Sequence, residues 1–412
     1  MNSFVLLMFF VLRHLWIPIN AADDIIPTPP HIMPVLGKSP CMYSGSFDPS
    51  GFYCPVLPMP VTSLPIECSS FIYDGLICNE NFEFNPSDED MNNMQYLSNS
   101  GKKLYIYYSH GSLQSWMQAI TNTSKVPTEA SKLASFIKSD IVAGLILKDL
   151  NYNYDGNLDY HVDPGFYDKL QNYVSVMKQT IPDLKIGLYV NASNMIYYSS
   201  NPYSPDWFDF NLLNEVMDFY VIGFDKFNPC SETLRGGIVP INNICGVNNS
   251  LTQLATALYS SRIAKDQIYV EFLTSPTPND TPEKLPACAV TYQQICEASK
   301  YKNIWCADNS DSLYDKGKFA KQQLKAQGII PKYIDTIDPT GACECEMNNQ
   351  FITFKMMLRG FSEADPITDC LELNSIKAED PSCPQDIPIT ATVPSPAPIY
   401  NYFGSFYNYL FN

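Results

Sequence analysis

The sequence lacks several motifs that would assign it to a common class of enzyme. Its 412 residues include only four histidines, no cysteine pair at CxxC spacing, and no GxGxxG or P-loop motif. A zinc cluster and a nucleotide site are therefore not indicated, and we expect neither a cofactor nor a metal ion. The apolar run at residues 4–12 is too short to span a bilayer, and no other segment is a candidate.

Glutamate is absent from a long internal stretch, between Glu129 and Glu215. Within this stretch, residues 141–147 form a short apolar run that predicts a strand. Lys148 and Asp149 follow directly, with asparagines after them. This strand therefore carries polar side chains at its C-terminal end but no glutamate.

Charge and composition favour an exported protein. Lys and Arg number 26 and Asp and Glu number 43, which gives a net charge of −17. Such an acidic surface disfavours nucleic acid and anionic membranes as partners. Residues 1–22 resemble a secretory signal peptide, with an apolar run followed by small residues.

The cysteines and the glycosylation motifs agree with a secreted, extracellular protein. The chain has 13 cysteines, a number that favours disulfides in an oxidising compartment and leaves at least one thiol free or bonded between chains. Four asparagines lie in N-glycosylation motifs: Asn122, Asn191, Asn248 and Asn279.

Strands and helices alternate over most of the chain. Residues 23–40 are Pro-rich. Between residues 41 and 370, strands are predicted at 69–76, 103–108, 141–147, 184–190, 218–224, 267–273 and 329–334. Helices are predicted at 130–137, from 163 onward, and at 250–263, 316–327 and 349–361. This alternation predicts a (β/α)8 TIM barrel, with an open doubly wound sheet as the alternative. Residues 371–412 form a Pro-rich tail that ends in many Tyr and Phe residues.

Four segments, taken in order, resemble family 18 glycoside hydrolases, the chitinase and chitinase-like group. Residues 41–43 and 68–73 resemble the first two strands of that family, and residues 139–150 resemble the fourth strand with its DGxDxDxE signature. Residues 218–222 and 333–343 resemble the VDFxNVMxYD and WxxDxDD strands. The resemblance implies a disulfide between Cys41 and Cys68. It also implies an α+β insertion between the last two strands, shortened here to residues 287–315.

The fourth-strand signature is degenerate in either alignment. Aligning on the glycine of the signature puts Ala143, Ile146 and Lys148 at the three aspartates and Leu150 at the glutamate. Shifting by one residue puts Asp149 at the last aspartate and Asn151 at the glutamate.

Other substrate-contacting positions of the family also differ here. The tyrosine that contacts the N-acetyl group falls on Asp225, or on Phe224 with a gap, and the tryptophan at the groove floor falls on Lys332. The SxGG strand becomes residues 108–111, which include His110. For His110 a loop or hydrogen-bonded role is favoured over a catalytic or metal role.

The resemblance therefore implies a chitinase-like protein without hydrolase activity. Family 18 enzymes need a glutamic acid that protonates the leaving oxygen, and neither Leu150 nor Asn151 can replace it. The leading hypothesis is a secreted lectin that binds chitin or N-acetylglucosamine glycans, with Trp116, Trp207, Asp225 and Tyr108 as candidate ligand contacts. The alternatives are an active hydrolase that uses Asp149 as its acid, and a structural or interaction protein that acts through an extracellular protein partner.

Overall fold

The computed structural model describes residues 34–376 apart from several internal segments. These segments are 46–58, 85, 138–140, 151–164, 201–208, 226, 232–233, 235, 245–246, 248, 279–290, 298–304, 338–340, 344 and 346–349. The expected signal peptide and nearly all of the expected tail lie outside the described residues. So do Asn151, Trp207, Asn248 and Asn279.

Eight parallel strands form a nearly closed barrel. They are β1 (Cys41–Tyr43), β2 (Phe71–Ile77), β3 (Leu104–Ser109), β4 (Gly144–Leu147), β5 (Lys185–Asn191), β6 (Phe219–Gly223), β7 (Ile268–Leu273) and β10 (Gly328–Lys332). Each strand pairs with the next along the chain, in the order β1 to β7 and then β10. The backbone N–H of Ile329 donates to the carbonyl of Lys38 at 3.1 Å, which brings the last strand beside the segment before β1. This order confirms the TIM barrel and excludes the open doubly wound sheet, in which the strand order reverses.

Helices connect the strands and surround the barrel. They are α1 (Asp88–Asn99), α2 (Leu113–Thr121), α3 (Val126–Phe136), α4 (Phe166–Thr180), α5 (Ala192–Ser200), α6 (Phe210–Leu213), α7 (Leu251–Ser260), α8 (Tyr292–Glu297), α9 (Ser310–Gln322), α10 (Ile352–Phe361) and α11 (Leu371–Asn374). Within the described part of the chain, no helix is long and apolar enough to cross a membrane.

Two short strands, β8 (Thr277–Pro278) and β9 (Trp305–Cys306), pair antiparallel between β7 and β10. Together with α8 they lie where the shortened α+β insertion is expected. The next helix, α9, begins earlier than predicted, because the side chain of Asn309 caps it by accepting from the backbone N–H of Ser312 at 2.9 Å. Residues 310–315 therefore belong to the helical layer, although the prediction placed them in the insertion.

Two other boundaries differ from the prediction. The last barrel strand ends at Lys332 and not at Ile334, because Tyr333 takes a left-handed backbone conformation (φ 55°) and a 3-10 turn follows. Helical structure also continues past residue 370, the predicted end of the barrel, since α11 follows the Cys345–Cys370 disulfide and buries Leu373.

The interior of the barrel is filled largely by aromatic side chains. The ring of Phe219 lies edge-on to those of Tyr105 and Tyr269, with centroids 5.9 Å apart in both pairs. Space for such rings comes from small neighbours on adjacent strands. A Cβ on Gly187 would lie 2.3 Å from the Phe219 ring, and one on Gly223 would lie 2.0 Å from the Tyr189 hydroxyl. Glycine at these two positions is therefore required by packing.

Four disulfides join the described residues: Cys41–Cys68, Cys230–Cys306, Cys296–Cys343 and Cys345–Cys370. The first is the pair implied by the family resemblance. It links the start of β1 to the segment before β2, so it fixes the first crossover of the barrel.

We predict that replacing Cys41 and Cys68 together by alanine lowers the free energy of unfolding by about 3.5 kcal/mol, because the cross-link restricts the unfolded chain. The residues are 27 apart in sequence. Removing Cys230–Cys306, which spans 76 residues, is expected to cost more, about 4.5 kcal/mol. Urea unfolding of both double variants measures the two losses. A larger loss for the shorter loop would contradict this account.

Candidate functional site

The fourth strand directs its side chains as strand alternation requires until Asp149. Ile146 packs inside the barrel, while Leu145 and Leu147 pack in the outer layer against the helices. Lys148 then reaches back over the barrel interior, with its ammonium 4.9 Å from the ring centroid of Tyr107. Asp149 has a left-handed backbone (φ 63°), and Leu150 lies in the outer apolar layer. The position of the family glutamate in the first alignment is thus turned out of the barrel.

Lys148 forms an ion pair near the C-terminal end of the barrel. Its Nζ lies 3.2 and 3.3 Å from the two carboxylate oxygens of Asp74 on β2, and Asp74 is buried. Burial alone would lower the pKa of Lys148, but the charge of Asp74 outweighs it and the pKa is raised. The Tyr333 hydroxyl donates to Asp74 Oδ2 at 3.2 Å. Lys148 therefore stays cationic and is fixed in place.

A second ion pair lies beside the first. Lys332, at the end of β10, donates to Asp225, which follows β6. The Tyr189 hydroxyl donates to the other oxygen of Asp225 at 2.8 Å. Burial would raise the pKa of Asp225, but Lys332 and Lys148 outweigh it and bring the pKa to about 2. The two positions that the resemblance assigns to the N-acetyl contact and the groove floor are thus bonded to each other.

Glu271 on β7 is the third carboxyl group of this region. It is 2% exposed, accepts a hydrogen bond from the Tyr107 hydroxyl, and lies 4.0 Å from the ammonium of Lys332. Burial raises the pKa of Glu271 to about 7. Two ammonium groups already balance Asp74 and Asp225, so a third negative charge lacks a full partner and the protonated form is favoured.

We call these five side chains the mouth network: Asp74, Lys148, Asp225, Glu271 and Lys332. It occupies the end of the barrel where TIM-barrel enzymes place their chemistry. Asp74 and Asp225 are ion-paired, and burial raises the pKa of Glu271 to about 7. Asp225, whose side chain is 40% exposed, is the member most open to a ligand.

Two of the candidate ligand contacts do not face the mouth. Trp116 on α2 and Tyr108 on β3 are both fully buried in the outer layer. The indole Nε1 of Trp116 donates to the Lys148 carbonyl at 2.6 Å. The Tyr108 hydroxyl donates to Glu129 at 2.5 Å. Neither ring presents a face on which a sugar could stack.

Two of the glycosylation candidates lie within the described residues. Asn122 is exposed at the end of α2. Asn191, at the end of β5, donates its amide to the backbone carbonyl of Asp225 at 3.1 Å and is partly buried. Of the two, Asn122 is the better placed to carry a glycan.

Asp149 and Ser109 lie near the mouth network. The Ser109 hydroxyl donates to the Asp149 carboxylate, and the backbone N–H of Gly111 donates to Ser109 Oγ at 2.8 Å. Asp149 is thus bonded to the residue that ends β3.

Sequence reasoning missed two members of the mouth network and a buried cluster outside it. Asp74 and Glu271 stand in apolar strands, at positions where the alternation of side chains along a strand directs them into the barrel. A charged residue at such an inward position is the signal that could have identified them. Outside the barrel, Glu129 is fully buried on α3, accepts from the hydroxyls of Tyr108 and Tyr173, and lies 3.0 Å from a ring nitrogen of His110. Cys78 lies nearby as a free thiol. The hydrophobic periodicity of the sequence does not indicate that the residues of this buried cluster lie together.

Comparison with solved structures identifies the fold. Catalytic domain 2 of the group II chitinase of Ostrinia furnacalis matches with a TM-score of 0.62 and 15% identity, over 81% of this chain and 99% of that one. Human YKL-39, described as a pseudo-chitinase with retained chitooligosaccharide binding, matches with a TM-score of 0.58 and 15% identity, over 79% and 99%. An immunomodulatory active chitinase from Trichuris suis matches with a TM-score of 0.58 and 13% identity, over the same shares.

The fold is that of the family 18 chitinases and chitinase-like proteins. It confirms, at the level of architecture, the resemblance read from the four sequence segments. No protein-family model matches the chain, and no curated protein matches it. Because both active chitinases and a pseudo-chitinase share this chitinase-like fold, activity must be argued from the residues at the mouth.

We predict that Glu271→Gln removes a pH dependence of stability. The pKa of Glu271 rises from 4.5 in the unfolded chain to about 7 in the folded one. Folding therefore takes up a proton between these values, and stability falls as pH rises from 4.5 to 7, by about 3 kcal/mol. The glutamine side chain cannot ionise, so the stability of the native protein relative to the variant declines over this range.

Urea unfolding at intervals from pH 4.5 to 7.5 measures that difference. Glu215→Gln is the control, because Glu215 forms an exposed hydrogen bond to Gln171. The buried Asp335, whose pKa is raised by burial to about 6, contributes equally to both proteins and cancels. A difference that stays constant with pH would show that Glu271 is ionised in the folded protein.

Proposed function

We propose that this protein is a secreted, non-catalytic chitinase-like protein that binds N-acetylglucosamine oligosaccharides at the barrel mouth. The observation that carries the proposal is the pairing of Lys332 with Asp225, beside that of Lys148 with Asp74. These pairs occupy the region where the resemblance places the acid, the acetamide contact and the floor of the sugar site.

The loss of catalysis is supported by the carboxyl groups of the mouth. A general acid must reach the leaving oxygen within hydrogen-bond distance. Glu271 has a pKa suited to this task, but it is buried, lies 4.0 Å from the ammonium of Lys332 and is bonded to Tyr107. Asp225 has a low pKa and is ionised at neutral pH. Asp149 is bonded to Ser109. No carboxyl group that the structure describes at the mouth combines a proton with access to a substrate.

Retained glycan binding is supported by the polar groups left at the surface of the mouth. Asp225 is the most open of them, and its charged oxygens suit the hydroxyl groups of a sugar. Human YKL-39, which shares the fold, is a pseudo-chitinase that keeps chitooligosaccharide binding. In the protein described here the aromatic contribution of Trp116 is missing, so we expect weaker and more polar recognition.

Export is supported by the disulfides. Four cross-links among the described residues are typical of oxidising compartments. They agree with the signal-like residues 1–22, and detection of the protein in the medium of expressing cells tests this part of the proposal.

We predict that the purified protein does not release the leaving group of a fluorogenic N-acetylglucosamine oligomer but binds the unlabelled oligomer. Asp225→Ala is expected to weaken binding about tenfold, because a charge-assisted hydrogen bond to a sugar hydroxyl is lost. Glu215→Gln, which changes an exposed surface group, is the control and leaves binding unchanged. Fluorescence and titration calorimetry on the same preparation measure turnover and affinity.

The outcomes separate the three hypotheses. Turnover that disappears in Asp149→Asn would overturn the proposal in favour of a hydrolase with a relocated acid. Absence of both turnover and binding would leave the barrel as a scaffold for an extracellular protein partner. Binding that Asp225→Ala does not affect would place the glycan away from the mouth.

A further inference from the structure

A cluster of three donor groups lies outside the barrel, where the ends of β2 and β3 meet α3. Cys78 follows β2, His110 follows β3, and Glu129 comes from the first turn of α3. All three side chains are buried. The Cys78 sulfur, a ring nitrogen of His110 and a carboxylate oxygen of Glu129 all lie within 4.8 Å of one another.

The two oxygens of Glu129 have unequal surroundings. Oε1 accepts from the hydroxyls of Tyr108 and Tyr173, both at 2.5 Å, and lies 3.0 Å from His110 Nε2. Among the described residues, Oε2 has no hydrogen-bond partner, although Glu129 is fully buried. A buried carboxylate oxygen without a partner is costly, so a native protein normally supplies a donor or a cation.

The donor chemistry of this cluster is that of a transition-metal site. Thiolate, imidazole and carboxylate are the ligands that zinc takes in proteins, at roughly 2.0–2.3 Å. The donor atoms lie within 4.8 Å of one another, and small side-chain movements would bring them to the separations of roughly 3.3–3.8 Å that tetrahedral bonds of this length produce. Among the described residues Cys78 is the only cysteine outside a disulfide, so its sulfur is available as a ligand.

Charge also favours a divalent ion here. The cluster borders an apolar layer in which the Trp116 ring lies 4.5 Å from that of His110. One thiolate and one carboxylate together neutralise a divalent cation, so the occupied site would carry no net charge into that layer.

We propose that Cys78, His110 and Glu129 bind one zinc ion or a similar divalent transition-metal ion. The hydroxyls of Tyr108 and Tyr173 hold Oε1 and orient the carboxylate, as outer partners do in metal sites, and leave Oε2 for the ion. The ion ties the ends of two barrel strands to α3, which is a structural role. This site is separate from the mouth network and does not depend on glycan binding.

The test is metal content of the tag-free, full-length protein after dialysis against zinc and then against metal-free buffer. We expect one zinc ion per chain by mass spectrometry, and its loss in Cys78→Ser and in Glu129→Gln. Glu215→Gln is the matched control, since it makes the same change at an exposed carboxylate and is expected to keep the ion.

Cobalt gives a readout of the ligands themselves. Protein stripped with EDTA and loaded with Co²⁺ is expected to show a thiolate-to-cobalt charge-transfer band, which Cys78→Ser removes. EDTA is expected to lower the Tm of the native protein, and zinc to restore it, because the ion binds only the folded chain.

If a variant does not fold, the metal-uptake and Tm measurements on the native protein test the proposal by themselves. Native protein that takes up neither zinc nor cobalt, with a Tm unaffected by EDTA, would overturn the proposal. His110 and Glu129 would then be a buried pair joined by a hydrogen bond, without a metal. Uptake that is equal in folded Cys78→Ser, Glu129→Gln and native protein would likewise overturn it, because the ion would bind elsewhere.

Discussion

Two lysine ammonium groups at the mouth of the barrel need negative partners, and the arrangement of that end of the molecule follows from this need. A buried charge left without its counterion costs several kcal/mol. Lys148 therefore keeps Asp74, and Lys332 keeps Asp225. The pairs link β2 to β4 and the end of β6 to β10. Tyrosine hydroxyls bond to the carboxyl groups of the network and complete it. The catalytic end of the fold is here occupied by groups that stabilise one another.

The strand order could be predicted from the sequence because apolar runs and helical segments alternate with little interruption. Strands β5, β6 and β7 lie within a residue or two of their predicted bounds. The end of β10 could not be predicted. Tyr333 and Ile334 continue the apolar pattern, but the left-handed backbone of Tyr333 ends the strand. Hydrophobic pattern reports which side chains are buried and carries little information about φ.

Only some residues of the candidate site could be predicted from the sequence. Lys148 and Lys332 could be recognised as replacements in a known pattern. Asp225 could be recognised in the same way, but neither ion pair could be predicted, since Asp74 lies 74 residues from Lys148 and Asp225 lies 107 residues from Lys332. The burial of Trp116 could not be predicted from the sequence for a related reason. This residue stands in a polar, loop-like stretch, but Ser112 caps a helix there and the indole turns onto His110. Contacts that depend on the closed barrel cannot be predicted from the local sequence.

The left-handed backbone at Asp149 bears on how such a chain can evolve. A glutamate introduced at position 150 would direct its side chain into the apolar layer between strand and helix, where Leu150 now lies. Placing an acid inside the barrel at position 148 would require the removal of Lys148, which would leave Asp74 without its partner. Each of these changes alone is expected to destabilise the fold, because it buries a charge without a partner. A proton donor could therefore be placed at this end of the barrel only by several coordinated changes, which limits how the sequence around the fourth strand can vary.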